Sequence, residues 1–360
     1  MEKQRYKIVI IGGGLSGLYA ASLLQKQSKE FILLEARSRL GGRILCPEYH
    51  GYFPDMGPSW FWPAINPKVN ALVNTLDLER FPQFESGLGR LQGRTGEVET
   101  IGGYPMDPPG FRLKGGMNAI SEKLAAQIPR EKIRLNHPVC ELERRDKGIC
   151  ITVGQLDEPP QCVVEAEQVI LALPPRLAAG SMLFTPDLSH GLTQAMLKAG
   201  TWMAGQAKFF ALYDHAPWRD SGFSGQGFSM CGPVGEFHDG SSDGQGPYGL
   251  TGFLSIPALR RRDEEFMVSS IVNQLGRVFG PQAQSPLKVY YKDWAREIFS
   301  ATDYDKRSAH AHPEFYPPSG EYSIWEKRLH FAGTETAEEM GGYLEGALAS
   351  GARAAMAVAG

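Results

Sequence analysis

The chain has few cysteines, no long apolar run and no excess of one charge, and each scarcity removes a class of function. Five cysteines in 360 residues (Cys46, Cys140, Cys150, Cys162 and Cys231) stand far apart and form no CxxC pair. An odd, scattered set argues against a disulfide framework or a thiolate metal site, and reads as the reduced thiols of a cytoplasmic protein. The eight histidines show no metal-ligand spacing. His310 and His312 precede Pro313 in what reads as a loop, so no metal is expected. Lysine plus arginine (37) nearly balances aspartate plus glutamate (40), which leaves no basic field to hold nucleic acid. No apolar stretch approaches the roughly 20 residues of a membrane span. The first strand starts close to Met1 and leaves no room for a signal peptide, and the last helix, broken by Glu345 and Arg353, is no anchor. The expectation is a cytoplasmic protein without nucleic-acid or membrane partners.

What is present is apolar residue and glycine. Hydrophobic residues make up 42% of the chain, enough for a large core and more than one domain. Lys7 to Ile11 reads as a buried parallel strand and runs directly into Gly12-Gly13-Gly14-Leu15-Ser16-Gly17-Leu18. Gly12 permits the tight turn, Gly14 lets a pyrophosphate approach the backbone, and Gly17 lets the following helix pack close to the sheet. That helix, starting near Leu15, offers unpaired N–H groups and partial positive charge to phosphates. A second strand, Phe31 to Leu34, ends in Glu35, near the spacing of about 20 residues expected of a ribose-binding acid. Strand, turn, helix, strand and acid in this order predict a dinucleotide site.

Further along, Asn66 to Leu78 and Leu113 to Ile128 show helical apolar spacing. Strands are expected at Lys132–Leu135, Cys140–Arg144, Gly148–Val153 and Gln161–Glu165, and a separate buried one at Gln168–Leu173 that Pro174 stops. From about Pro186 to Asp293 a second region carries strands at Gln206–Tyr213 and Tyr248–Ile256, a glycine-rich loop at Gly222–Gly246 and a helix from Glu264 to Phe279. His330 to Glu335 returns as a short strand and turn, followed by a helix to Ala359. The expected class is α/β. A doubly wound domain is built from residues 1–79, 112–185 and 294–360. A second, α+β domain on a mostly antiparallel sheet is built from 80–111 and 186–293.

Six segments resemble the flavin-containing amine oxidase family, which includes monoamine and polyamine oxidases. They are Ile10–Leu18, Glu35–Arg43, Asp55–Trp60, Gly115–Asn118, Leu171–Pro175 and Phe331–Ala347. The N-terminal segments alone would also fit phytoene desaturases, protoporphyrinogen oxidases and FAD-dependent sugar mutases. The C-terminal pair, Phe331-Ala332-Gly333-Thr334-Glu335-Thr336 and Gly342-Tyr343-Leu344-Glu345-Gly346-Ala347, is more specific and looks like the flavin-ring end of an amine oxidase.

The resemblance implies a Rossmann-like domain that binds FAD, and it assigns roles. Gly12, Gly14, Leu15, Ser16 and Gly17 would hold the pyrophosphate with Gly41, Gly42 and Arg43. Glu35, Ala36 and Arg37 would bind the adenosine ribose, and the backbone of Val139 the adenine. Gly57, Pro58, Ser59 and Trp60 would pass the flavin. Gly333, Thr334 and Glu335 would support the ribityl–pyrophosphate region. The backbone at Gly342, Tyr343 and Leu344 would face the flavin, where a helix start stabilises negative charge.

Lys208 matches the family lysine that holds a water against flavin N5. A lysine pointing inward from an apolar strand is costly unless paired, and the alternative is a solvent-facing place on an alternating strand. Tyr343 and Tyr304 match the two walls of the family's aromatic cage. Asp303 stands where animal monoamine oxidases carry a flavin-bound cysteine, which implies noncovalent FAD. Trp60 stands where L-amino-acid oxidases carry a carboxylate-binding arginine, which lowers the expectation of an amino-acid substrate. The segment from about Arg80 to Phe111 is far shorter than in typical members. The implied reaction is oxidation of a small amine by hydride transfer to FAD, with O2 as acceptor and H2O2 as product. A desaturase or oxidative cyclase and a non-enzymatic flavin-binding protein remain alternatives.

Overall fold

The computed structural model describes residues 4–243, 246–307 and 321–359, so His310 and His312 lie outside the described residues. Its larger sheet is centred on Gln4–Ile11, which pairs in parallel with Phe31–Leu34 on one side and Cys162–Leu171 on the other. Ile133–Arg134 and Leu329–Phe331 continue the parallel set outward. The alternation of this apolar core decides its layers. Ile8, Ile10, Phe31, Leu33 and Ile170 face the helices Leu15–Lys26, Pro67–Thr75, Asn118–Ala125 and Leu344–Ala359. Val9, Ile11, Ile32, Leu34 and Val169 face the opposite way, onto the antiparallel strands Val139–Arg145 and Gly148–Val153 and the helices Pro175–Ser181 and His190–Lys198.

Two expectations are corrected here. The separate strands at 161–165 and 168–173 are one strand, Cys162–Leu171. Its polar stretch Glu165–Gln168 breaks the apolar pattern because the strand changes partners there. Cys162–Ala166 pairs antiparallel with Gly148–Val153, whereas Val169–Leu171 pairs in parallel with Leu329–Phe331. The other edge follows Gln4–Ile11 along its whole length, which keeps the backbone extended through the change.

The glycine-rich loop expected at 222–246 also contains two strands of the second sheet, Phe223–Ser229 and Val234–Asp239. Their small residues serve close approach: a Cβ on Gly225 would lie 3.0 Å from Asp239, and one on Gly227 would lie 2.9 Å from the carbonyl oxygen of Arg90. Glycine here marks crowding between strands, which a propensity reading takes for a turn.

The second sheet runs in the order Lys288–Asp293, Ala207–Tyr213, Tyr248–Leu254, Val234–Asp239, Phe223–Ser229, Leu88–Gln92, Val98–Ile101. It is antiparallel except where Phe223–Ser229 runs parallel to Leu88–Gln92. The helix Glu264–Phe279 begins at Asp263, whose carboxylate accepts from the Phe266 N–H at 3.0 Å. Its apolar stripe, Met267, Ile271, Leu275 and Val278, covers the sheet face that carries Phe209, Ala211 and Tyr213. The period of two then turns Lys208, Phe210 and Leu212 to the opposite face. Phe210 and Leu212 pack there against Met56 of the first region. That alternation points Lys208 at the space between the two sheets.

Candidate active site

One cavity runs between the two sheets, from Glu35 and Arg37 at one end to Trp60, Lys208 and Phe253 at the other. The first end is backbone-rich. Gly12 turns at φ +106°, and a Cβ there would lie 2.6 Å from the Ala172 carbonyl oxygen. Gly14 sits beside the helix Leu15–Lys26, whose N-terminus has no side-chain cap, so its first N–H groups face the cavity without a side-chain partner. Gly17 lies beneath the wall, with no room for a Cβ against Gly12. Glu35 is 2% exposed. Its two carboxylate oxygens accept from the backbone N–H of Gly13 (2.7 Å) and of Arg37 (2.9 Å). A carboxylate has about four acceptor positions, so Glu35 keeps capacity for a hydroxyl.

Arg43 reaches the cavity wall and is gripped from behind by Glu335, with contacts of 2.5 and 3.0 Å. Glu335 itself is fully buried in the turn that follows Leu329–Phe331. It aims the guanidinium instead of lining the cavity. Breaking a buried pair from one side leaves the other charge uncompensated. Glu335→Gln is therefore expected to lower the unfolding free energy by about 3 kcal/mol, read from denaturant melts of parent and variant.

At the far end the segment Met56–Trp62 forms one wall and the second sheet the other. Lys208 is 2% exposed. Its Nζ donates to the Gly57 carbonyl at 2.9 Å and to the Ser59 hydroxyl. The ammonium also lies 5.7 Å from the Trp60 ring centre and 5.4 Å from that of Phe253. Burial lowers its pKa from 10.5 to about 8, with Asp55 pulling the other way. Trp60 is fixed in turn, its indole N–H donating to Gln83 at 2.6 Å.

Most of the expected cofactor residues line this cavity: Gly12, Gly14, Leu15, Ser16, Glu35, Arg37, Gly41, Gly42, Arg43, Gly57, Pro58, Ser59, Trp60, Gly333, Thr334, Gly342, Tyr343 and Leu344. Ala36 and Val139 lie off the wall, Val139 packing against the core beneath the antiparallel strands. Tyr304 is 63% exposed and is not among the residues that line the cavity. Its neighbour Asp305 is buried, accepting from Arg176 (2.6 Å) and from the Thr302 N–H and hydroxyl (2.8 Å each).

Trp202, Met203, Ala204, Phe253 and Phe299 also line the cavity, and sequence reading passed over them. Phe253 lies in the strand expected at Tyr248–Ile256, but its register opposite Lys208 comes only from the structure. The loop 202–204 had no legible signal.

The arrangement fits FAD. An elongated cavity offers a buried acid, a glycine-lined helix start and an aimed arginine in sequence along its length. Among the described residues no group of three or more side chains could hold a metal ion, and no helix is long and apolar enough to cross a membrane.

Comparison with known proteins agrees with this geometry. Residues 85–359 match the family described as flavin containing amine oxidoreductase, and residues 10–76 match an NAD(P)-binding Rossmann-like domain. The flavin-containing amine oxidase of Danio rerio is 31% identical, covering 99% of this chain and 86% of that protein. Putrescine oxidase of Kocuria rosea is 23% identical, covering 98% and 95%. The first of these alignments spans 470 positions against a chain of 360 residues, so many positions have no residue here. Among solved structures, cyclohexylamine oxidase from Brevibacterium oxydans IH-35A superposes with a TM-score of 0.82 at 20% identity, covering 98% of each chain. At that identity the likeness speaks for the fold. Motifs, cavity and family match converge, and the chain belongs to the flavin containing amine oxidoreductases.

Proposed function

We propose that the protein oxidises a small neutral amine with noncovalently bound FAD. The observation that carries this reading is Lys208, buried and held against Gly57 and Ser59 on a cavity that Tyr343 and the start of the last helix also line. FAD, when bound, would supply the two-electron acceptor for oxidation of the amine to an imine, with O2 as the final oxidant giving H2O2 and water hydrolysing the imine to a carbonyl compound. The protein's part is binding, orientation and exclusion of water. In this reading residues 1–79, 112–185 and 294–360 hold the cofactor, and 80–111 and 186–293 supply the substrate wall.

The backbone of Gly14 and the first turn of Leu15–Lys26 take the pyrophosphate, Glu35 takes the ribose, and Arg43, aimed by Glu335, neutralises phosphate charge. The Leu344 backbone, on the cavity wall, would face the flavin. Trp60, Phe253 and Tyr343 close the reacting end with aromatic surface, and Tyr343 orients the amine. Lys208 holds a water at the reacting edge. Asp303, whose carboxylate accepts from Lys306 at 2.7 Å, offers no thiol for a covalent link.

Among the described residues the wall carries no free carboxylate to act as a base. Its two carboxylates are engaged by backbone N–H groups, Glu35 as described and Glu345 by Lys68 (2.9 Å) and Val69 (3.0 Å). The amine must therefore arrive deprotonated, and kcat/KM is expected to rise with pH until the substrate's own pKa is passed. The two wall arginines are those assigned to the cofactor, Arg43 held by Glu335 and Arg37 by Glu35 and Ser300, which leaves none for a substrate carboxylate among the described residues. That favours amines over amino acids.

Tyr343→Ala is expected to lower kcat/KM about tenfold, the size of one aromatic contact. Tyr304→Ala, at the exposed position, is expected to change it by no more than about twofold. Steady-state assays of the two variants check both. The overall reading is tested by recording the visible spectrum of the purified protein with a panel of amines and amino acids without oxygen. Bleaching by an amine, with ammonia or a smaller amine released, supports it. An alkene product without ammonia, or a flavin no compound bleaches, overturns it.

A further inference from the structure

Beneath Lys208 lies a second buried charge cluster that the chemistry above does not use. Asp55 is fully buried. Its Oδ1 accepts from the Met117 N–H at 2.8 Å and from the Cys46 thiol at 3.1 Å, and its Oδ2 lies 3.5 Å from Arg112. The turn that delivers the Met117 N–H is shaped for this contact. Gly116 sits at φ +72°, and a Cβ there would lie 3.1 Å from Oδ1 and 3.0 Å from the Cys46 sulfur. Arg112 is 4% exposed and also donates at 2.8 Å to the carbonyl of Ser241, in the loop that follows the strand Val234–Asp239 of the second sheet. Asp55 begins the segment whose Gly57 carbonyl and Ser59 hydroxyl hold the lysine. One carboxylate and one guanidinium thus bridge the cofactor-side segment and the sheet that carries Lys208.

We propose that Asp55 and Arg112 are positioning residues for Lys208: the pair fixes the Asp55–Ser59 segment, whose Gly57 carbonyl and Ser59 hydroxyl receive the ammonium. The groups that bear on Lys208 are Asp55 and Cys46 from the first region and Arg112 from the strand Phe111–Leu113. Their signs differ. Asp55 favours the charged lysine and Arg112 opposes it, so Arg112 limits the influence of the carboxylate. The Cys46 thiol, which burial keeps protonated, acts as a donor to Asp55. Loss of Asp55 charge makes Lys208 release its proton at lower pH. Loss of Arg112 removes the cation that opposes the charged lysine, and Lys208 keeps its proton to higher pH.

The inference rests on the reading that Lys208 serves the reaction, but its test does not. Unfolding midpoints are measured between about pH 6 and pH 10 for the parent, Asp55→Asn and Arg112→Met, each with and without Lys208→Met. The lysine's titration is the pH at which the Lys208→Met difference bends. The bend is expected to move down by about one unit in Asp55→Asn and up by about one unit in Arg112→Met, a tenfold change in proton affinity each way. The same bend in parent and variant, or a shift of the opposite sign, overturns the inference. Either variant decides the question alone, so failure of one to fold leaves the test standing. If the bends move as expected while Lys208→Met still reacts normally with O2, the positioning role holds and the role given to Lys208 fails.

Discussion

Lys208→Met is expected to leave reduction by the amine within about threefold of the parent and to slow the reaction with O2 by about 10²-fold, the cost of one preorganised charged group at a reacting centre. The split follows from the role proposed for Lys208. Lys208 does not need to touch the substrate to hold a water, since its Nζ already has two protein acceptors and an ammonium has a third proton to donate. Rapid-mixing experiments that follow anaerobic reduction and reaction with O2 separately check it. Equal O2 rates in parent and variant sink the assignment.

The same variant carries a stability signature with a definite sign. Burial lowers the pKa of Lys208 from 10.5 to about 8, so the folded protein binds this proton less tightly than the unfolded chain. Below about pH 8 both states hold the proton, and the folded state bears the cost of a buried charge, up to about 3 kcal/mol. Between pH 8 and 10.5 only the unfolded chain holds it, and the parent gains stability as pH rises. Methionine carries no such cost. Lys208→Met is expected to melt higher than the parent near neutral pH, with the advantage shrinking as pH rises through that window.

Gly17→Ala and Gly14→Ala are expected to fail in different ways, although both add one methyl group to the same glycine-rich turn. A Cβ on Gly17 would lie 1.9 Å from the Gly12 carbonyl oxygen, a backbone atom with no freedom to yield. Alanine's better helix propensity, worth about 1 kcal/mol, does not offset that overlap. The helix must lift from the strand, and a loss of about 3 kcal/mol or more is expected with the cofactor absent or present. Gly14 is different. Its φ of −73° suits any residue, and the nearest atom to an added Cβ is 3.9 Å away. Gly14→Ala is expected to keep the stability of the cofactor-free protein within about 0.5 kcal/mol. It places its methyl where the phosphates approach, so the protein is expected to purify with little bound flavin. Thermal melts of cofactor-free protein and flavin-to-protein absorbance ratios distinguish the two. A Gly14→Ala protein that retains a full complement of FAD would overturn the placement of the pyrophosphate.

The pattern of what was legible follows from the range of the forces involved. Lys7–Ile11, the glycine turn, the helix at Leu15 and Phe31–Leu34 obey local rules: a run of β-branched residues, a positive-φ glycine, a period of 3.6. All appear close to where sequence places them. The helix Glu264–Phe279 has an acid cap and an apolar stripe and matches residue for residue. The same local rules misread Phe223–Ser229 and Val234–Asp239, because glycine there answers to a neighbouring strand far away in sequence. They also split Cys162–Leu171 in two, because its polar middle marks a change of partner.

By itself the sequence determined that the chain folds as α/β with a glycine-lined nucleotide turn, that Glu35 ends the second strand, and that Lys208 sits in an apolar strand. Each rests on near neighbours along the chain, where periodicity and backbone sterics suffice. Only the tertiary structure decided that the strand of Lys208 is covered on both faces, and that Gly57 and Ser59 receive its ammonium. It also decided that Glu335 aims Arg43 across 292 positions of sequence, and that Asp55 and Arg112 stand beneath the lysine. These depend on burial and on electrostatic contact between segments remote in the chain. Such contacts gain their strength from exclusion of water, which no single segment achieves alone.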